Sequence, residues 1–297
     1  MIGRMLKRFF APLAGATLAF GTPAYAQQAV EVAGPALWIV ADEDTTIYLF
    51  GTVHALPEEV EWMDERIAAA FDSADELVTE VDLSEPQGMA QELLASAMLP
   101  EGQTLRSLLS PEQTTVYEAA LERINIPPEI FDPFKPWYAG LVISTAPLLQ
   151  QGYSPDSGVE FVLGQRAGTA KARNELESTA YQLSLFDRLP MESQIRFMVD
   201  TARQIDQIKP MLDAMVAEWL AGDAEGLAAL MNEGLSDPLM AEQLLYGRNR
   251  NWAKWIDNRM KTPGRVFVAV GAGHLAGAGS VQDELAARGL EAIRIHE

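Results

Sequence analysis

Apolar and polar positions first alternate in two short β-prone runs. Leu37-Trp38-Ile39-Val40 and Thr46-Ile47-Tyr48-Leu49-Phe50 flank the polar Asp42-Glu43-Asp44, as the arms of a hairpin flank its turn. Past His54 and Pro57 the period changes. Met63, Ile67, Ala70, Phe71 and Ala74 fall on one face of an amphipathic helix, and Leu77-Val78-Thr79-Glu80-Val81 returns to a β pattern. Strand, loop, helix, strand is the unit from which parallel sheets are built. Residues from about 86 to 165 are rich in Ala, Leu, Gln and Glu and are broken at Pro100, Pro111, Pro127-Pro128, Pro133 and Pro136, which predicts an insertion of short helices. Asp156 to Glu160 opens another helix that Gly168 ends. Residues 191–247 are helical again, and a long helix is predicted from Pro238 to Met260. Val266-Phe267-Val268-Ala269-Val270 is the clearest buried strand, followed by a helix over 279–288 and a last strand over Leu290–Ile295. The expected fold is a single α/β domain over 27–297, a central, mostly parallel sheet with flanking helices and a helical insertion at about 86–165.

The first 26 residues read differently. Arg4, Lys7 and Arg8 precede an apolar run from Phe9 to Phe20, and Ala24-Tyr25-Ala26 is a small-x-small cleavage site, the order of an export signal peptide. The mature chain is expected to begin near Gln27 and to be periplasmic or secreted. The leader's apolar run falls short of the ~20 residues that span a bilayer, and Leu141–Leu149 is shorter still, so no stable membrane insertion is expected after cleavage. Loss of the leader's three basic residues takes the formal charge from −20 to −23. That sign repels phosphate backbones and excludes nucleic acid as a partner. The chain has no cysteine. Disulfides, a thiol nucleophile and thiolate ligands are therefore all excluded.

The chemistry falls to the histidines, of which there are three. Two share a context: Gly51-Thr52-Val53-His54 follows the strand ending at Phe50, and Gly271-Ala272-Gly273-His274 follows the strand ending at Val270. Open α/β sheets bind ligands at the carboxyl ends of their strands, and glycine there permits a sharp exit and close backbone approach. Glu80 occupies the end of the next strand, and alternation sends Glu80 and Asp82 to the same side. Two imidazoles and a carboxylate on one edge suit Mn²⁺, Co²⁺ or Zn²⁺, or an acid–base pair that needs no metal. His296 is a terminal residue with no expected role, and Met191, Met198, Met211 and Met215 at helical spacing read as core.

These residues resemble a known family. Leu49-Phe50-Gly51-Thr52-Val53-His54, with Ala74 to Asp82 behind it, is similar to the opening of the TraB/PrgY/GumN family, related to the Tiki proteases. Phe267 to Gly277 looks like its second signature, Arg250-Asn251-Trp252-Ala253 resembles its R-N segment, and Leu176-Glu177-Ser178-Thr179 with Gln182 its L-E-T…Q segment. Glu160 stands where members often carry Asp. The resemblance implies a sheet of two related halves, allied to the Tiki/erythromycin-esterase-like fold, and in the Tiki branch metal-dependent proteolysis. Carried over, His54, Glu80 and His274 would bind the metal or activate water, while Arg250 and Asn251 would orient substrate or stabilise developing charge. Glu177 is the weaker candidate, because Lys171–Glu175 before it is more polar than a buried strand. The expected function is a secreted metal-dependent hydrolase acting on peptides.

Two other readings compete. Gly271-Ala272-Gly273-His274-Leu275-Ala276 matches the dinucleotide pattern G-x-G-x-x-G/A, but too little chain follows it to complete a nucleotide-binding half. A non-catalytic binding protein for a peptide, another small molecule or a haem-like ligand would line its groove with Tyr117, Trp137, Tyr138 and Tyr153. Arg248 and Arg250 lie two apart and face different sides of a helix, so only one points at the site; the family segment selects Arg250.

Overall fold

A computed structural model describes residues 34–82, 86–234 and 237–296; the expected leader, residues 1–26, lies outside them. The predicted hairpin forms from β1 (Leu37–Ala41) and β2 (Thr45–Thr52), antiparallel with Leu37 opposite Phe50. Asp42 closes its turn by accepting from the amides of Asp44 and Thr45. A two-residue strand, β3 (Leu56–Pro57), precedes α1 (Glu65–Ser73), which Asp64 caps by accepting from the Ile67 amide. Next comes β4 (Glu76–Thr79).

The helical region begins with α2 (Pro86–Ala97), α3 (Pro111–Arg123) and α4 (Pro136–Gln150). It is followed by β5 (Tyr153–Ser154), which pairs with β3, then α5 (Val159–Ala167) and β6 (Ala172–Glu175). Helices α6 (Thr179–Asp187), α7 (Met191–Arg203), α8 (Ile208–Ala221) and α9 (Ala224–Gly234) come next. The helical core is not confined to 86–165: Tyr117, Leu121 and Ile143 share one cluster with Met198, Val199 and Ala202 of α7. Apolar stripes on either side of β6 complete one another.

The predicted long helix contains an interruption. α10 (Pro238–Ala241) runs into a π turn over Glu242–Tyr246 and then α11 (Gly247–Arg259). The chain finishes with β7 (Gly264–Gly271), a 3₁₀ turn over Ala272–Leu275, α12 (Val281–Ala286) and β8 (Ile293–Arg294).

The six-stranded sheet has the order β6-β4-β7-β2-β1-β8, with β6, β4, β7 and β2 mutually parallel. β7 alternates across it. Phe267 and Ala269 join Phe50, Phe71, Trp62 and Trp219 on one face, while Val266, Val268 and Val270 join Ile47, Leu49, Trp252 and Ile256 on the other. Each large side chain so buried contributes about 1.5–3 kcal/mol. The register matters most for function: Thr52 lies opposite Gly271 and Thr79 opposite both Ala269 and Glu175. Four parallel strands therefore end together, and His54, His274, Glu80 and Glu177 follow those ends. β6 forms in spite of its polarity because it is the outermost strand, so its exposed Ala172, Arg173 and Asn174 need not match a buried face.

Candidate active site

His54 leaves β2 into a loop that the start of α5 grips. The Val159 amide donates to the Val53 carbonyl at 3.0 Å, and a Cβ on Gly158 would lie 2.1 Å from the His54 carbonyl oxygen, so only glycine permits this approach. The grip brings buried Glu160 under the ring. Its Oε1 is 2.6 Å from His54 Nδ1 and accepts from the Thr52 hydroxyl at 2.5 Å. The ring itself is 72% exposed. Glu160 lies below the usual carboxylate range, since the desolvation that would raise it is outweighed by the His54 charge and by the hydrogen bonds of His54 and Thr52. An ionised Glu160 requires a proton on His54 Nδ1, which leaves Nε2 as the open nitrogen. The pull of Glu160 exceeds the opposing effect of desolvation and raises His54 to about 9.

His274 meets the reverse conditions. It is buried, with its ring 4.2 Å from that of Trp252. Asn249 is oriented by donating from Nδ2 to the Gly279 carbonyl, so its Oδ1 faces His274 Nδ1 at 2.6 Å and accepts the proton there. The lone pair on His274 Nε2 accepts from Arg248 Nη1 at 3.0 Å. Desolvation is the main cause that takes its pKa down to about 3, with Arg248 and His54 adding to it against the attraction of Glu80. The ring is neutral and both nitrogens are engaged.

Arg248 stands between two buried carboxylates. Nε and Nη2 meet Glu177, Nη2 also meets Glu80 Oε2 at 2.5 Å, and Nη1 serves the Leu244 carbonyl and His274. Those contacts account for all five guanidinium N–H donors. Glu80 further accepts from Gln182 Nε2 at 2.8 Å and the Gly271 amide at 2.7 Å. Burial works to raise Glu80, but Arg248 and the two histidines prevail and hold it at about 2. Glu177 also accepts from Trp252 Nε1 at 2.9 Å.

A single point relates the three residues singled out by the two motifs and the strand-end carboxylate. A Cβ at Gly271 would lie 3.1 Å from Glu80 Oε1, 3.6 Å from His274 Cδ2 and 3.8 Å from His54 Nε2. Glycine keeps that point open. A cavity of about 290 Å³ is lined by Glu160, which holds His54, together with Thr79, Asp82, Arg173 and Glu175.

The arrangement differs from the sequence reading at the R-N segment. Arg250 lies 46% exposed in an ion pair with Glu242, and Asn251 is exposed; neither enters the cluster. Arg248 and Asn249, one R-N pair earlier, are buried in it. Trp252 and Ala253 are the buried residues of the next turn, and four residues back on a helix lie 248 and 249, so the periodicity of the buried face carried the signal. Glu177 and Gln182 are both in the cluster, as is Glu160, while Asp82 is exposed at the cavity.

The donor set does not fit a metal as arranged. The one lone pair of His274 Nε2 is taken by Arg248, whose charge also contacts Glu80, leaving Glu80 Oε1 and, only once it loses its proton, His54 Nε2 as donors near the point. Among the described residues no group of three His or acidic side chains has metal-holding geometry.

A mostly parallel sheet carrying two strand-end G-x-x-H loops, with carboxylates and an arginine gathered between them, makes this a mixed α/β protein with its polar cluster at the strand ends. The chain belongs to the TraB/PrgY/gumN family, which matches it over residues 36–294. It is 25% identical over 252 residues to the uncharacterized protein YbaP of Escherichia coli (strain K12), covering 84% of this chain and 92% of that one. It is also 23% identical over 271 residues to an uncharacterized protein of Treponema pallidum (strain Nichols), covering 85% and 80% respectively. No solved structure matches.

Proposed function

We propose that the protein is an exported hydrolase of acyl bonds in which His54 is the working base and Glu160 sets it. The observation that carries this reading is the division of the His54 ring: Nδ1 is fixed on a buried carboxylate, and Nε2 is open to solvent beside Glu80. Carboxylate, imidazole and open nitrogen is the order by which hydrolytic enzymes hold a base in one tautomer. Water in the space that the missing Gly271 side chain leaves between Glu80 and His54 would lose a proton to the neutral form of His54 at Nε2 as its oxygen bonds the substrate carbonyl carbon. The second water hydrogen would be held by ionised Glu80 Oε1. The imidazolium, stabilised by Glu160, then returns the proton to the leaving nitrogen or oxygen as the scissile bond breaks. Arg248 has no donor to spare; it acts by holding Glu80 and His274, and Asn249 acts by holding His274. A kinship to the Tiki/erythromycin-esterase-like fold is part of this proposal. The family resemblance makes peptides the first substrate class to try, other small acyl compounds the second. The leader, of basic start, apolar run and Ala-x-Ala, supports a periplasmic or secreted place of action.

The test is a panel of peptide, amide and ester substrates offered to the mature protein and to His54→Ala. At least one should be turned over by the wild type, with kcat/KM falling about 10²–10⁴-fold in the variant. Turnover that survives His54→Ala would remove His54 from the role of base, and no turnover across the panel would retire the reading in favour of a ligand-binding role.

A further inference from the structure

The Arg248 guanidinium sits where a bound cation would be sought, among Glu80, Glu177 and the inward nitrogen of His274. It is also held from below. The Trp252 ring lies 4.6 Å beneath the guanidinium carbon, a cation–π contact, and Trp252 Nε1 donates to the Glu177 carboxylate that Arg248 grips. Two facts of valence follow. An imidazole nitrogen has one lone pair, so His274 Nε2 cannot accept from Arg248 and bind a metal together. The other nitrogen is closed as well, because it carries the proton donated to Asn249. Glu80 Oε2 already accepts from Arg248 and Gln182, and Oε1 from the Gly271 amide.

We infer that Arg248 is the resident cation of this site: it takes the place of a divalent ion, excludes one from the native chain, and masks a metal-binding set of Glu80, Glu177 and His274 that its removal opens. Two carboxylates and an imidazole are a sufficient transition-metal donor set; held apart around the guanidinium they do not converge on one ion, and in its absence they must close in to hold one. This holds whether or not the site turns over a substrate.

The experiment is calorimetry and elemental analysis on the mature protein with Mn²⁺, Co²⁺ and Zn²⁺, comparing wild type, Arg248→Ala, His274→Ala and the Arg248→Ala/His274→Ala pair. The expected result is no metal in the wild type that depends on His274, one equivalent gained by Arg248→Ala, and that equivalent weakened 10-fold or more in the double variant. A wild type that holds one equivalent, weakened 10-fold or more by His274→Ala, overturns the inference. So does an Arg248→Ala protein that folds and gains no metal. Should Arg248→Ala fail to fold, ¹⁵N spectra of the wild-type imidazoles decide. His274 must show the Nδ1–H tautomer and stay unshifted as metal is added, and broadening or displacement of its signals overturns the inference.

Discussion

The two G-x-x-H loops begin alike and end in opposite states. Each follows a parallel strand of the same sheet, and β2 and β7 are neighbours with Thr52 opposite Gly271. Yet His54 is exposed, its Nδ1 is bound to a carboxylate, and it is drawn to about 9. His274 is buried, its Nε2 faces a guanidinium, and it is driven to about 3. The motif supplies only a position at a strand end; the charge of the nearest partner and access to water decide what the ring does there. One fold edge thus holds a basic and a non-basic imidazole side by side, which is how sites separate chemical roles between like residues.

Removing each ring in turn should split activity from stability most widely. In His274→Ala, Asn249 Oδ1 and Arg248 Nη1 lose a buried partner and a void opens against Trp252, so the unfolding free energy should fall on the order of 3 kcal/mol in urea titration. His54→Ala should lose less stability, since water reaches Glu160 once the exposed ring is gone, while losing more turnover than any other single change. If His54→Ala proves the less stable of the two, the contrast in burial fails.

Acid and alkali should attack the two loops separately. His54 is raised from 6.5 to about 9, so its stabilisation is whole below pH 6.5 and is lost as pH rises through 9. His274 is lowered from 6.5 to about 3, so the unfolded chain binds the extra proton and stability falls as pH drops from 6.5 toward 3. Glu80, lowered from 4.5 to about 2, adds to the acid side below pH 4.5. At about 1.4 kcal/mol per unit, the acid side amounts to several kcal/mol. Metal-free protein should therefore be most stable near pH 6.5 in urea titrations across pH. Glu160→Gln should flatten the alkaline side and also remove the acid-side share of Glu160, itself held below the usual carboxylate range, while His274→Gln should leave an acid side that starts only below pH 4.5.

Much of this was legible in the chain. The alternation in Val266–Val270 and the hairpin of Leu37–Val40 with Thr46–Phe50 gave strands in their observed places, because side chains on a sheet must divide between two faces. Glycine at the strand ends marked both loops. What could not be read is the state of each histidine, which depends on Glu160, 106 residues from His54, and on Arg248, 26 residues before His274. Long-range partners leave no local pattern. β6 was undervalued for a similar reason: its polarity argues against a central strand but is what an edge tolerates, and edge position is a property of the whole sheet. The R-N segment had its own ambiguity, since Arg248-Asn249-Arg250-Asn251 offers the same dipeptide twice, and the π turn over Glu242–Tyr246 breaks any phase carried in from upstream.

The smallest expected effect resolves that ambiguity. Arg250→Ala removes an ion pair with Glu242 in which both partners are about half exposed, and such pairs contribute under about 1 kcal/mol, so stability and turnover should stay within error of the wild type. Residue 250 shares a helix face with Lys254, which is exposed, whereas 248 shares one with Trp252 and Ile256, which are buried. The near-silence of Arg250→Ala beside a damaging Arg248→Ala would fix the phase of α11 in solution. An Arg250→Ala that lost turnover as severely as His54→Ala would mean that the helix is rotated by two residues, with Glu80 and Glu177 facing a different cation. Every contact that keeps His274 neutral would then have to be found elsewhere, so this minor substitution tests the whole contrast between the two loops.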